Sequence, residues 1–266
     1  MTQHVVKGTH VSMKPTHLYK YRTLDNVSLS YVEQTIRQNE IYFTSPAQFN
    51  DPFDCKVHWS FKTDDSIFRK YYHRLLKDKI PDLKDKERQL RVEEWIKSGK
   101  HLSPTFHEEL MGEMQKKVDQ LGVFCLTEKR DDILMWAHYA GSHSGVCLEF
   151  KASAGPFSQV ERVNYRDEYP DVDILLDAPN LHVDAIFFTK AIFWKYEQEW
   201  RIIDREGGHG IKRLNNDLLT GVILGCNIND NNRRLILQWI KERSCSTKLY
   251  EAKLKKDSFG LDIFSI

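Results

Sequence analysis

The sequence has no apolar run approaching the roughly 18 residues that a membrane-spanning helix needs, and its opening, MTQHVVKGTHVSMK, has no apolar core of the kind a secretion signal carries. Those two absences lead to the expectation of a cytoplasmic protein with no membrane partner. Net charge is nearly absent as well. Lys and Arg number 39 against 38 Asp and Glu, so no global field draws the chain to nucleic acid or to an anionic surface. A nucleic-acid partner is therefore not indicated by charge, and any polyanion site would be local. Cysteine is sparse too. Cys55, Cys125, Cys147, Cys226 and Cys245 are odd in number, widely spaced and in no CxxC pair, which points to reduced thiols more than to a zinc ribbon or a disulfide framework. No HExxH occurs, and no metal is expected.

Against these absences, 41% of the 266 residues are hydrophobic and 12% aromatic, enough for a sizeable core. Residues 1–17 read as a polar arm. LYKYR then reads as a strand, and LDNVSLSYVEQTIRQNE as a helix capped by Asp25 or Asn26, with Leu29, Val32 and Ile36 at helical spacing and Asn39 at its exit. The strand EIYFTS leads into PAQFNDPFD, where Pro46 and Pro52 stop regular structure and Asn50, Asp51 and Asp54 favour side-chain turns. Residues from about 66 to 120 change character. Phe68, Tyr71, Tyr72, Leu75 and Leu76 mark one helical face, Phe106, Leu110, Met114 and Val118 another, and the mixed charges between them read as solvated outer faces of a helical insertion.

The core pattern resumes with the strand GVFCLT, a short helix in DDILMWAHYAGSHSG and the strand GVCLEF. An extended piece around VERVNY, a proline-containing loop and an apolar helix near 182–192 follow. FWKYEQEWRI, residues 193–202, reads as extended, with Lys195, Glu197, Glu199 and Arg201 on one face and Trp194, Tyr196 and Trp200 on the other. The strand TGVILG, the helix NDNNRRLILQWIKER and the strands TKLYEAKL and LDIFSI complete the chain. The order is that of a single α+β domain over 18–266, with a mixed or antiparallel sheet core and the helical insertion.

Four patches gather polar groups among apolar ones: Tyr19, Tyr21 and Arg22; Tyr42, Thr44 and Ser45 with Asn50, Asp51 and Asp54; Trp136, His138, Tyr139 and His143; and Glu197, Glu199 and Arg201. Each also has a plain packing reading. An edge strand with a solvated charged face would explain the last patch, and a hydrogen-bonded histidine beside aromatics would explain the third, since His138 and His143 are five apart and not at the helical spacing of a ligand pair.

LYKYR, IYFTSPAQFNDPFD, LMWAHYAGSHSGVCLEF and KAIFWKYEQEWRI, in this order, resemble the bacterial proteins grouped as domain of unknown function 2971, a likeness spanning about residues 18–266. A looser resemblance is to ADP-ribosyltransferases, which carry an arginine or histidine on a first strand, a hydroxyl-rich strand and an ExE or QxE motif. Arg22, then Tyr42-Phe43-Thr44-Ser45, then Glu197-Gln198-Glu199 fall in that order, although the hydroxyl strand reads YFTS and its distance from the glutamates exceeds the usual spacing. That resemblance implies NAD as cosubstrate beside an unknown acceptor. It implies that Arg22 holds the dinucleotide, Ser45 orients the carboxylate, Glu199 stabilises an oxocarbenium-like ribose as nicotinamide leaves, and Glu197 steers the acceptor. Tyr21, Tyr42, Thr44, Asn50, Asp51, Asp54, Trp136, His138 and Tyr139 would then line the NAD cleft. How such families are commonly deployed suggests a toxin or phage-defence effector.

Two other readings use different residues. Glu149-Phe150-Lys151, with Asp51 or Asp54, has the carboxylates and lysine of a metal-dependent nuclease. A binding protein without chemistry would use the helix bearing Arg233, Arg234, Lys241 and Arg243, or the insertion at 66–120.

Overall fold

The computed structural model describes residues 14–61, 64–175 and 179–266, so residues 1–13 of the expected arm lie outside the described residues. In chain order, β1 (His17–Arg22), α1 (Asn26–Gln38), β2 (Glu40–Phe43) and β3 (His58–Ser60) precede the helices α2 (Asp65–Lys79), α3 (Asp85–Lys97) and α4 (Pro104–Gln120). Then come β4 (Gly122–Thr127), α5 (Ile133–Tyr139), β5 (Val146–Lys151), β6 (Glu161–Arg162), β7 (Asn164–Arg166) and β8 (Asp171–Asp173). The remaining elements are α6 (Pro179–Phe187), β9 (Thr189–Ala191), β10 (Glu199–Asp204), β11 (Gly210–Arg213), β12 (Leu219–Leu224), α7 (Asp230–Glu242), β13 (Lys248–Leu254) and β14 (Leu261–Ser265). The fold is α+β, and its sheet is mixed and largely antiparallel.

The chain divides into two compact units built from separated segments. The first takes the described residues through Ile41 together with Leu126–Val160 and Arg213–Ile266, and the second takes those of Tyr42–Cys125 and Glu161–Lys212.

In the first unit the strands run in the order β14, β13, β12, β5, β1, and only β12 and β13 are parallel. Asp25 caps α1 by accepting from Val27 N and Ser28 N, and Asn39 ends it in the left-handed region at φ 58°, which a short polar side chain tolerates. α1 and α7 pack together and bury Val32, Ile36, Ile236 and Trp239. Arg243 ties them by donating to the carbonyls of Ile36 and Asn216.

Register sets one sheet face. Tyr19 lies opposite Glu149, Tyr21 opposite Cys147, Glu149 opposite Gly221, and Ile223 opposite both Cys147 and Tyr250. Directly opposed residues share a face, so Tyr19, Tyr21, Cys147, Glu149, Gly221 and Tyr250 lie together. α5 crosses this face, with Trp136 edge-on to Tyr21 at 5.1 Å between ring centroids.

In the second unit β6 pairs with β10, β3 with β8 and β7 with β9, around a core of Cys55, Val57, Val118, Val123, Val172, Ile186, Phe187 and Phe188. α2 and α3 close on an aromatic seam in which Tyr72 and Trp95 stand 5.1 Å apart.

Two local readings are corrected here. The helix expected near 182–192 runs instead over Pro179–Phe187, because Thr189–Ala191 pairs with Asn164–Arg166 as β9. The stretch 193–202 is not extended throughout. Ile192–Glu197 winds into a 3-10 turn, Gln198 is left-handed (φ 44°, ψ 54°), and only from Glu199 does β10 run on. Tertiary pairing outweighed the local alternation of residue types.

Candidate functional sites

The ExE segment builds an interior ion network in the second unit. Arg201, on β10, is fully buried, and Asp54, Lys190, Glu197 and Glu199 are each less than one-tenth exposed. Its Nε donates to Glu199 Oε1 at 2.8 Å and Nη2 to Glu199 Oε2 at 2.8 Å. Towards Asp54, Nη1 donates to Oδ1 at 2.8 Å and Nη2 to Oδ2 at 2.7 Å, and Nη1 also reaches the carbonyl of Phe187 at 2.9 Å. Two bidentate carboxylates and a carbonyl thus use all five guanidinium N–H groups.

Lys190 completes the network. Its Nζ donates to Glu197 Oε2 at 2.6 Å and Glu199 Oε2 at 3.1 Å, and it lies 3.3 Å from Asp54 Oδ2. The ammonium also sits 5.0 Å from the Trp194 ring centroid, at cation–π distance. Tyr165, opposite Lys190 in the β7–β9 register, accepts a hydrogen bond from Glu199 N at 2.8 Å.

Local backbone geometry explains how these groups meet. Cys55 is left-handed at φ 54°, a costly conformation for a side chain with a Cβ, and it follows directly on Asp54, which is buried while Asn50 is exposed and Asp51 half-buried. The left-handed Gln198 does the same between Glu197 and Glu199, bringing them together in place of strand alternation.

Three carboxylates against two cations leave one formal negative charge. Burial alone would raise Glu199, but Arg201 and Lys190 outweigh it and hold the carboxyl far below its usual range. Burial would likewise lower Lys190, and Glu199, Asp54 and Glu197 instead hold it above the usual lysine range. Both groups are locked in their charged forms, and the oxygens of Glu199 are engaged by Arg201 and Lys190.

The other sequence-singled residues of this unit face different partners. Ser45 Oγ donates to the Asp119 carbonyl at 2.6 Å and accepts from Ala47 N at 3.2 Å, capping the 3-10 turn Pro46–Gln48. Thr44 exchanges backbone hydrogen bonds with Val123 at 2.9 Å each way, and Tyr42 is half-buried at the end of β2. Asp51 closes an Asx turn by accepting from Phe53 N at 2.9 Å.

The first unit holds Arg22, Tyr21, Trp136, His138 and Tyr139, and with them a second polar assembly that sequence reasoning largely missed. Tyr21 OH donates to the Lys129 carbonyl at 2.9 Å, and Trp136 Nε1 donates to the Arg130 carbonyl at 3.0 Å. Both rings are buried, so they pin the 129–130 backbone to the sheet face. His138 is exposed, with its ring edge-on to Tyr139, and Arg22 extends β1 opposite Val146. From the pinned loop the Arg130 guanidinium lies over the Tyr250 ring at 5.8 Å, and its charge counters that of Glu149 at the Tyr19 hydroxyl. Burial first, and Glu149 second, push that phenol up to about 12.

Glu149 is 4% exposed. Its Oε1 accepts from Thr220 Oγ1 at 2.8 Å and its Oε2 from Tyr19 OH at 3.4 Å. Thr220 stands at the register shift between Leu219 and Gly221, a bulge that turns its hydroxyl onto the carboxylate. Glu149 belongs to the ExK pattern of the nuclease reading, whose Lys151 is exposed. Among the described residues no group of three His, Cys, Asp or Glu has the geometry to hold a metal ion, and no helix is long and apolar enough to cross a membrane.

Residues 135–202, about a quarter of the chain, match the model of a family described as Protein of unknown function (DUF2971). The matched segment runs from α5 through Glu149 to Arg201 and so includes Lys190, Glu197 and Glu199. No curated protein and no solved structure matches the chain, and the likeness to ADP-ribosyltransferases finds no match behind it.

Proposed function

We propose that the protein binds a phosphorylated small molecule on the Tyr19–Tyr250 face of its first unit, with nucleotides as the leading class and NAD+ as the first to test. The observation that carries this reading is the state of Arg130. Its backbone is pinned by Tyr21 and Trp136, the residue is half-buried with its guanidinium over Tyr250, and among the described residues that guanidinium makes no hydrogen bond or ion pair. A guanidinium held this way offers a planar fork suited to phosphate oxygens. The Tyr250 ring beneath it adds a π surface.

ADP-ribosyl transfer remains a reaction that such binding would serve, and its support is the sequence likeness at Arg22, Ser45, Glu197 and Glu199. The geometry favours binding in the first unit over catalysis at the ExE pair, because Glu199 and Ser45 are engaged by other partners.

Calorimetry with NAD+ and ADP tests the reading. Saturable binding that weakens at least tenfold in Arg130→Ala, and is only partly restored by Arg130→Lys, supports bidentate anion recognition. Equal binding by the wild type and Arg130→Ala overturns it.

A further inference from the structure

We infer that Glu149 is the residue that selects the ligand, taking hydrogen bonds from the hydroxyls of a ribose or similar polyol attached to the phosphate that Arg130 holds. The inference rests on the anion site proposed above and narrows its ligand to a hydroxyl-bearing sugar phosphate, a ribonucleotide first.

A carboxylate this buried needs donors, since taking an ion out of water costs several kcal/mol unless hydrogen bonds or a counter-ion replace the water. Glu149 has few. No Lys, Arg or His among the described residues lies within ion-pair distance, and of its two donors the Tyr19 hydroxyl, at 3.4 Å, is well beyond a normal O–H···O bond. Two carboxylate oxygens accept about four hydrogen bonds, so capacity remains on Oε2. Ligand hydroxyls are donors of the right kind, and hydroxyl-to-carboxylate bonds are among the strong class.

The surrounding residues keep this carboxylate in place. Thr220, re-aimed by its bulge, holds Oε1. Gly221, directly opposite Glu149, leaves the carboxylate room to lie across β12 towards Tyr250. A Cβ there would stand 3.0 Å from Glu149 Oε1 and 3.0 Å from Tyr250 Cε2. Arg130 lies over the same Tyr250 ring. A cation for the phosphate, an aromatic face and a donor-poor carboxylate therefore share one side of the sheet, as the parts of a phosphorylated sugar require.

The test compares ADP, 2′,3′-dideoxy-ADP and pyrophosphate by calorimetry on the full chain, in the wild type, Glu149→Gln and Arg130→Ala, with circular dichroism as the folding control. Glu149→Gln keeps the shape of the side chain and an acceptor for Thr220. The wild type is expected to prefer ADP over the dideoxy analogue by about 10- to 100-fold, the range for hydrogen bonds to a charged group. In Glu149→Gln that preference should shrink to within about threefold of unity, whereas Arg130→Ala should weaken all three ligands. A preference for ADP that survives Glu149→Gln, or its absence in the wild type while pyrophosphate still binds through Arg130, overturns the inference and leaves the anion site standing. Failure of all three ligands to bind the wild type overturns both.

Discussion

Arg201→Met removes a guanidinium that uses all five of its donors inside the second unit, and the consequence follows from charge. In the wild type, Asp54, Glu197 and Glu199 face Arg201 and Lys190. In the variant the same three buried carboxylates face one ammonium, and Asp54 loses its bidentate partner. Breaking a buried ion pair by deleting one member costs about 3–5 kcal/mol, because the survivor stays buried and uncompensated. With a urea slope of about 2 kcal/mol per molar, the unfolding midpoint should fall by roughly 1.5–2.5 M. Asp54→Leu/Glu199→Leu/Arg201→Met, which leaves only the Lys190–Glu197 pair, should recover most of that loss, since replacing the buried ions together with apolar residues is often nearly neutral.

The pH dependence carries a sign. Glu199 is held below its ordinary range in the folded wild type, so its contribution is present above the unfolded carboxylate range near pH 4.3 and is lost as pH falls. In Arg201→Met burial favours the protonated form, so the deficit relative to wild type should narrow from pH 7 towards pH 4. Urea unfolding followed by tryptophan fluorescence at both pH values is the assay. A loss below about 1 kcal/mol at pH 7, or a deficit that widens on acidification, would refute the reasoning.

Three further outcomes are expected. Gly225→Ala places a Cβ 2.1 Å from the His143 carbonyl oxygen and 2.9 Å from that of Gly145, backbone atoms that cannot swing aside, and thermal unfolding should show a loss of about 3 kcal/mol. Asp132→Ala removes the acceptor that caps Leu134 N at 2.9 Å and Met135 N at 3.1 Å, so it should cost about 1 kcal/mol and, by loosening the Trp136 anchor of Arg130, weaken ligand binding. Ultraviolet titration should place the Tyr19 phenol near 12, and Glu149→Gln should lower it; the stabilisation linked to this raised value is present below pH 10 and lost as pH climbs towards 12.

The sequence made much of the fold legible wherever a single local signal decided the structure. The short apolar runs in LYKYR, GVFCLT, GVCLEF and TGVILG mark β1, β4, β5 and β12, and Asp25 and Asn39 bound α1 as their chemistry requires. The sites were less legible because backbone geometry made them. Alternation in KYEQEWR suggests that Glu197 and Glu199 share a strand face, and a left-handed Gln198 between a 3-10 turn and a strand does that work instead. Asp54 reads as one more turn residue in NDPFD until the left-handed Cys55 and the two bonds from Arg201 are seen. Lys190 did carry a signal, as a lone cation in FFTKAIFW that had to find carboxylates if buried. Arg130 carried none, because KRDD reads as a solvated loop and only the tertiary bonds from Tyr21 and Trp136 fix it. Thr220 was equally silent, since no residue type announces a bulge.

The most direct test of ligand binding on the first unit is a crystal structure of the protein soaked with NAD+. The account predicts phosphate density within hydrogen-bond distance of Arg130, over the Tyr250 ring, with a ribose turned towards Glu149. Clear nucleotide density elsewhere on the molecule, with Arg130 unengaged, would contradict it.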